Sequence, residues 1–241
     1  MTFTLDEANL KPLKEGAAAL GVSLDSSQLE QFQRYYEEVI DWNRRVNLTS
    51  VTGWEQFQIR HFADSLSVSS AVPSRLLATG RVLDVGSGAG FPGLPLKIAF
   101  PCLRMTLLEA TAKKVAFLQH IIDVLVLPGA DVIRARAELA AHDHDLREAF
   151  DLVLSRAVAP LSVLAELTLP FGRVGSLVVL HKKVDIDDEI RRAQRAIEAM
   201  GGRLKEVMEV ATGGLLVVLE KLMPAPEDYP RRPGIPSKRP L

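Results

Sequence analysis

The sequence predicts an α/β protein: a mostly parallel seven-stranded sheet with an antiparallel last strand, preceded by a helical segment. Three observations predict it. A short apolar run at 81–86 leads into Gly86, Gly88, Gly90 and Gly93 and then a helical stretch at 94–100. From residue 81 onward, strand-like runs alternate with helical patterns, as in parallel strands joined by crossover helices. The last two strands are separated only by Thr212-Gly213-Gly214, so they read as a hairpin.

Residues 1–75 read as a helical layer. Leu10, Leu13, Ala17 and Leu20 recur at helical spacing within 5–20, and Gly21 stops that helix. Ser27-Gln28-Leu29-Glu30 reads as a capping box. It opens a helix with Leu29, Phe32, Tyr36, Val39 and Ile40 on one face, ending near Trp42-Asn43. Arg44, Arg45 and Asn47-Leu48-Thr49-Ser50 form a polar loop. A further helix at 55–70 has Phe57, Phe62, Leu66 and Val68 as apolar contacts and carries Arg60, His61, Asp64 and Ser65.

The main domain spans 76–222. Its strands are expected at 81–86, 104–109, 131–135, 150–155, 175–181, 204–210 and 215–221. Helices are expected at 112–126, 160–170 and 187–200, the last stopped by Gly201-Gly202. Residues 223–241 change character. Six of the 18 residues in 224–241 are proline, and Arg231, Arg232, Lys238 and Arg239 outnumber Glu227 and Asp228, so an extended basic tail is expected.

Composition narrows the function classes. Hydrophobic residues make up 47% and charged residues 24% of the 241, ordinary values for a globular protein. With a net charge of −1, nucleic acid would have to be bound through a local patch. The single cysteine, Cys102, excludes a disulfide framework and a cysteine zinc site, and fits a reducing cytosol. Residues 1–30 contain Asp6, Glu7, Lys11 and Lys14 and no long apolar run, so no signal peptide is expected. No apolar stretch reaches the roughly 18 residues that a membrane span needs. His142-Asp143-His144-Asp145 has the composition of a metal site but no accompanying ligand cluster, and reads as a solvated loop; no metal is expected.

The glycine loop carries the chemistry. Glycines let the backbone take positive φ and approach a ligand, and the following helix start offers free N–H groups. Gly88-Ala89-Gly90-Phe91-Pro92-Gly93 fits the dinucleotide pattern G-x-G-x-x-G literally. Asp84 argues against a dinucleotide, because a carboxylate at the strand end would repel a pyrophosphate in a partly desolvated cleft. S-adenosylmethionine (AdoMet) carries an ammonium and a sulfonium and no phosphate, and an acid suits it. The run from Asp84 to Gly90 resembles motif I of class I AdoMet-dependent methyltransferases. Glu109, 19 residues after Gly90, can accept hydrogen bonds from ribose hydroxyls, with Ala110 and Thr111 beside the adenine. Ala137 and Glu138 follow the third strand, where such folds hold the adenine amine.

Ser155-Arg156-Ala157-Val158-Ala159 follows the fourth strand, the position that faces the transferred methyl. It contains no Asn/Asp-Pro-Pro-aromatic motif and no Pro-Cys nucleophile. Arg156 cannot act as a base at neutral pH but can hold phosphate or guanine. A ring nitrogen with an exposed lone pair needs no base. His61, with Asp64 and Ser65 on one helical face, is a second candidate for the substrate side. Lys182, at the end of the fifth strand, is a candidate for phosphate contact.

Several motifs occur together and in order: Asn47-Leu48-Thr49-Ser50, Arg60-His61-Phe62-Ala63-Asp64-Ser65, Asp84 through Pro95, Arg156-Ala157-Val158-Ala159, and Tyr229-Pro230-Arg231-Arg232-Pro233-Gly234. Across residues 25–241 the chain resembles small-subunit ribosomal RNA methyltransferase G, also called glucose-inhibited division protein B. The resemblance implies a class I, Rossmann-like AdoMet-dependent methyltransferase fold and a cytoplasmic protein. It implies methylation of guanine N7 in the 530 loop of 16S rRNA, on the RNA or the 30S subunit, with S-adenosylhomocysteine as product. The cofactor residues it implies are Gly86, Phe91, Glu109, Ala110, Thr111, Ala137, Glu138 and Arg156, beside the Asp84, Gly88 and Gly90 read above. Two departures stand out, Lys182-Lys183 after strand five and Thr212-Gly213-Gly214 before strand seven. Lys182, Arg231, Arg232, Lys238 and Arg239 are the expected RNA contacts, and a monomer is expected. The alternatives are an AdoMet methyltransferase for a protein or small molecule, and a non-catalytic RNA-binding module.

Overall fold

The computed structural model describes residues 7–183 and 186–241. The first two residues of the helix expected at 5–20 lie outside them. Seven strands form one sheet: β1 (Arg81–Val85), β2 (Arg104–Glu109), β3 (Ala130–Arg134), β4 (Phe150–Ser155), β5 (Gly172–Lys182), β6 (Gly202–Val210) and β7 (Gly214–Lys221). Their order is β3-β2-β1-β4-β5-β7-β6, with β7 antiparallel to both neighbours and the other pairs parallel. The order reverses between β1 and β4, and ligands of open α/β sheets bind at such a switch point, beyond the carboxyl ends of the strands. Strand β5 starts earlier than expected, because Phe150 pairs with Gly172 across a bulge before Leu152 meets Leu177.

Alternation along the central strands supplies two cores. Val82, Leu152, Leu154 and Val179 face the N-terminal helices and the helices Gly93–Ala99 and Ala112–Leu125. Leu83, Val85, Val153, Val178 and Leu180 face the helices Leu161–Thr168 and Asp187–Ala199. The helical layer shares the first of these cores, since Leu10, Leu13, Phe32 and Phe62 belong to the same cluster as Val82 and Leu94. Amides lock the layer in place. Gln28 Nε2 donates to the carbonyls of Ile98 and Ala99, and Gln31 Nε2 donates to that of Leu125. These carbonyls end two sheet-flanking helices and have no intrahelical partner.

The structure corrects several expectations in this layer. The helix Ser26–Asn43 is capped by Asp25, not Ser27: Gln28 N donates to Asp25 Oδ1 and Asp25 N donates to Gln28 Oε1. Its buried face carries Tyr35, whereas Tyr36 is half-buried. The helix expected at 55–70 forms as a helical run from Trp54 to Ala71, but it contains a π-helical turn at Gln58–Ala63 and a turn residue at Ser67. Short helices also occur at Ser74–Thr79, Ala137–Ala140 and Ile235–Lys238. The C-terminal segment is a strap bound to the second core, with Tyr229 and Leu241 packed on it. Arg147 ties it down by donating to the carbonyls of Ala225, Pro226 and Tyr229. No helix among the described residues is long and apolar enough to cross a membrane.

Candidate active site

The turn after β1 sits at the switch point. Gly86, Gly88 and Gly90 have φ of 74°, 60° and 95°, a region that side-chain-bearing residues rarely adopt. Gly90 has a second constraint: a Cβ there would lie 2.5 Å from Leu94 Cδ1 and from the Tyr35 hydroxyl. Gly86 and Gly88 are less crowded: a Cβ there would meet only ordinary contacts at 3.7 and 3.8 Å, and Gly86 is exposed. The loop is thus packed from beneath and open above. Tyr35 holds it from below by donating to the Ala89 carbonyl at 2.5 Å.

Asp84 is fully buried behind this loop, where it was expected to face the cofactor. Its Oδ2 accepts from Gly93 N at 3.0 Å, at the start of the helix Gly93–Ala99, while its Oδ1 is buried without a partner. Burial drives its pKa up from 3.8 to about 7, against the lowering effect of the Gly93 hydrogen bond and Arg156. In this conformation Asp84 presents no surface to a ligand and fixes the shape of the loop. Glu109 does part of the same work from β2: its oxygens accept from Gly88 N at 3.0 Å and Thr111 N at 2.7 Å. Ala110 and Thr111 beside it are exposed.

At the mouth of the site, β4 delivers Arg156 and the π-helical turn delivers His61, both onto Phe91 of the loop. The His61 ring stacks on Phe91 with centroids 4.6 Å apart and planes 10° apart. The Arg156 guanidinium lies 5.0 Å from the Phe91 centroid. Arg156 Nη2 donates to His61 Nδ1 at 2.8 Å. An arginine has no acceptor, so His61 Nδ1 is unprotonated and its Nε2–H donates to Thr49 Oγ1 at 2.7 Å. Burial, then the neighbouring Arg156 charge, push the His61 pKa from 6.5 down to about 3. His61 is therefore neutral with both nitrogens committed.

Asp64 completes the cluster. Its Oδ2 accepts from Arg156 Nη1 at 3.2 Å and its Oδ1 from the Thr212 hydroxyl at 2.6 Å. Arg156 Nη1 also donates to the Arg60 carbonyl at 3.1 Å. Three of the five guanidinium N–H donors are thereby used, leaving Nε–H and one Nη2–H. Four segments distant in sequence meet here: 49, 60–64, 156 and 212. His61, on the π-helical turn, and Asp64, directly after it, both reach Arg156.

The remaining candidates divide. Glu138 is buried, and its Oε1 accepts from Gly234 N of the strap at 2.9 Å; Ala137 beside it is half-buried. Lys182, expected to contact phosphate, is spent internally: Nζ donates to the Ala159 carbonyl at 2.9 Å and pairs with Glu189 at 2.6 Å. Arg231, expected in an RNA-binding arm, makes three hydrogen bonds of 2.6–2.9 Å to Glu166, which is fully buried. Arg232, Lys238 and Arg239 are exposed. His142, expected in a solvated loop, contacts the Pro230 carbonyl through Nε2 at 2.9 Å. No group of three metal-ligating side chains occurs among the described residues. Sequence reasoning missed Tyr35 and Thr212. Tyr35 had a signal, standing three residues after Phe32 and four before Val39; Thr212 had none.

The sequence profile of a family described as rRNA small subunit methyltransferase G matches residues 28–217. The Ribosomal RNA small subunit methyltransferase G of Dehalococcoides mccartyi strain CBDB1 is 49% identical, over 96% of this chain and all of its own length. The protein of the same name from Roseiflexus castenholzii is 47% identical, over 93% of this chain and 97% of its own. Among solved structures, the Methanococcus jannaschii fibrillarin pre-rRNA processing protein superposes with a TM-score of 0.51 at 13% identity, over 61% of this chain and 69% of its own. That likeness, with the strand order, places the fold in the class I AdoMet-dependent methyltransferase class. On this evidence the chain belongs to the rRNA small subunit methyltransferase G family.

Proposed function

We propose that this protein methylates N7 of a guanine in the 530 loop of 16S rRNA, with AdoMet as methyl donor. Family membership supports an rRNA methyltransferase. The observation that carries the choice of atom is a mouth rich in hydrogen-bond donors and an aromatic face, whose titratable groups among the described residues are committed to one another or, like the unpartnered His181 Nδ1, buried. His61 is neutral and committed, Asp64 is held by Arg156 and Thr212, and Asp84 lies behind the loop. An exocyclic amine would have to lose a proton. Guanine N7 carries a lone pair, so it can take the methyl directly and keep no proton to lose. The uncommitted Arg156 donors suit guanine O6, which leaves N7 free to react.

The residues fit the cofactor. Gly86 and Gly88 leave an open backbone surface, and Glu109 is oriented beside it by two backbone N–H groups. Glu109, Ala110 and Thr111 would hold the ribose and adenine, and Ala137 and Glu138 the adenine edge. Phe91 and Arg156 would close the methyl end. AdoMet supplies an electrophilic methyl on a sulfonium, and S-adenosylhomocysteine remains when it is gone. The chain contributes alignment of N7 with that methyl and exclusion of water, effects that together lower the barrier without proton transfer.

The test is methyl transfer from labelled AdoMet to 16S rRNA and to 30S subunits from cells lacking this enzyme. Label recovered as 7-methylguanine in the 530 loop is the expected result. Label in another base or atom, or in no RNA while AdoMet still binds, overturns the reading.

A further inference from the structure

A second hollow adjoins the mouth on its N-terminal side. Ser50, Val51, Thr52, Gly53, Gln56 and Arg60 line a depression of about 430 Å³. It is shallow and open to solvent, a groove on the surface and not an enclosed pocket. Its wall is polar and pinned. The Tyr36 hydroxyl donates to the Thr52 carbonyl at 2.8 Å, and Val51 N donates to Thr49 Oγ1 at 3.0 Å. That same Thr49 oxygen receives the His61 Nε2–H. The hollow is therefore one residue away from the Arg156–His61 cluster, and Arg156 itself donates to the Arg60 carbonyl.

Arg60 is the cation of the hollow. Arg34, Arg44 and Arg45 of the helical layer are neutralised, Arg34 by Glu37 and Glu38 and the other two by Asp41. The Arg60 side chain is exposed and has no acidic partner and no side-chain hydrogen bond among the described residues. The π-helical turn explains its position. Gln58, His61, Phe62 and Ala63 of that turn are buried, and Arg60 is left on the outer side, over the hollow. A guanidinium with unspent donors beside hydroxyls, an amide and a glycine backbone has the chemistry of a nucleotide subsite. It offers a fork for a phosphodiester and small polar groups for a ribose 2′-hydroxyl or a base edge.

We propose that this hollow, resting on the rRNA reading above, is a subsite for a nucleotide adjoining the methylated guanine, with Arg60 on its phosphodiester and Gln56 and Thr52 beside its ribose or base. A single-stranded RNA segment entering the mouth has a nucleotide on each side of its target base. The hollow is the polar depression contiguous with Arg156 through backbone and hydrogen bonds, so it is placed to hold one of them.

The experiment is steady-state methyl transfer to unmethylated 30S subunits for wild type, Arg60→Ala, Arg60→Lys and Gln56→Ala, with AdoMet affinity measured by calorimetry on the same preparations. For Arg60→Ala we expect the KM for subunits to rise about tenfold, the loss of a charge-assisted contact. We expect kcat and the AdoMet Kd to stay within about twofold, and the slope of log KM against log salt to fall by roughly 0.7–0.9, one phosphate contact. Arg60→Lys restores most of the salt slope, and Gln56→Ala raises KM less than Arg60→Ala. Wild-type KM and slope in Arg60→Ala overturn the subsite, as does a parallel rise in AdoMet Kd, which would mean a structural role. Failure of the wild type itself to methylate any RNA sinks the functional reading and the subsite with it. That outcome is distinct, because it is read before any variant is compared.

Discussion

Arg156 at the mouth and Arg231 in the strap look alike in the sequence, each an arginine in a short motif near a strand end or tail. In the fold they are opposites. Arg231 meets one fully buried carboxylate, Glu166, through Nε and Nη2 of its guanidinium and through its own backbone N–H. Arg156 has its partners spread over a backbone carbonyl, a neutral histidine and a carboxylate at 3.2 Å, and keeps two donors in hand. The difference teaches that a basic residue's role is set by what it is paired with and where, since each guanidinium keeps donors unused. A cation clamped on a single buried acid is part of the scaffold; one spread over several partners at the mouth of a site can also act on a ligand.

The largest test of this contrast is to remove each guanidinium. Arg156→Ala should lower kcat/KM by about 10²–10³ with little change in melting temperature, as expected when preorganised donors are lost from a reacting centre. Arg231→Ala should do the reverse. It leaves Glu166 buried and unpaired, at a cost of about 3 kcal/mol in urea unfolding, while folded molecules keep their turnover. Should Arg231→Ala lose activity without losing stability, the strap is more than scaffold.

A smaller effect is readable as pH dependence, and the mouth and the loop bend it in opposite directions. His61 is depressed from 6.5 to about 3 by burial and Arg156. Between those values the unfolded chain binds a proton that the folded one refuses, so this group makes stability fall as pH drops from 6.5 toward 3. Asp84 is raised from 3.8 to about 7 by burial. Here the folded chain holds the extra proton, so its contribution is full below 3.8 and is lost as pH rises through 7. Each slope is at most about 1.4 kcal/mol per pH unit. Unfolding free energies of His61→Asn and Asp84→Asn, taken relative to wild type from pH 4 to 8, should therefore trend with opposite sign. Parallel trends would mean that one of the two groups is not protonated as described.

The smallest expected effect is at Thr212. Thr212→Val removes one hydrogen bond from Asp64, the acid that steadies Arg156. A loss of a few-fold in kcat, with KM for RNA little changed, is expected from one hydrogen bond of roughly 1 kcal/mol. An unchanged kcat would show that Arg156 is held well enough by Arg60 and His61 alone.

The sequence by itself determined the sheet and the loop. Strand periodicity, the glycine turn and the Thr212-Gly213-Gly214 hairpin are local signals, because alternation, positive φ and tight turns are properties of a few adjacent residues. Accordingly β2 and β4 start and end where the pattern placed them, and Gly86, Gly88 and Gly90 all take positive φ. Tertiary structure decided everything that depends on which distant residue arrives. Only packing put a π-helical turn into the expected helix at 55–70, brought His61 and Asp64 to Arg156, and set Thr212 against Asp64 across 148 positions. It also converted the proline-rich basic tail into a strap, because Glu166 and Glu138 are buried far from it in sequence and needed its N–H groups. Likewise it buried Asp84, with Oδ2 on the Gly93 N–H at the helix start and Oδ1 without a partner. The physical reason is common to all of these. A hydrogen bond or ion pair between remote segments leaves no periodicity in either of them, so its residues read as ordinary polar positions until the chain folds.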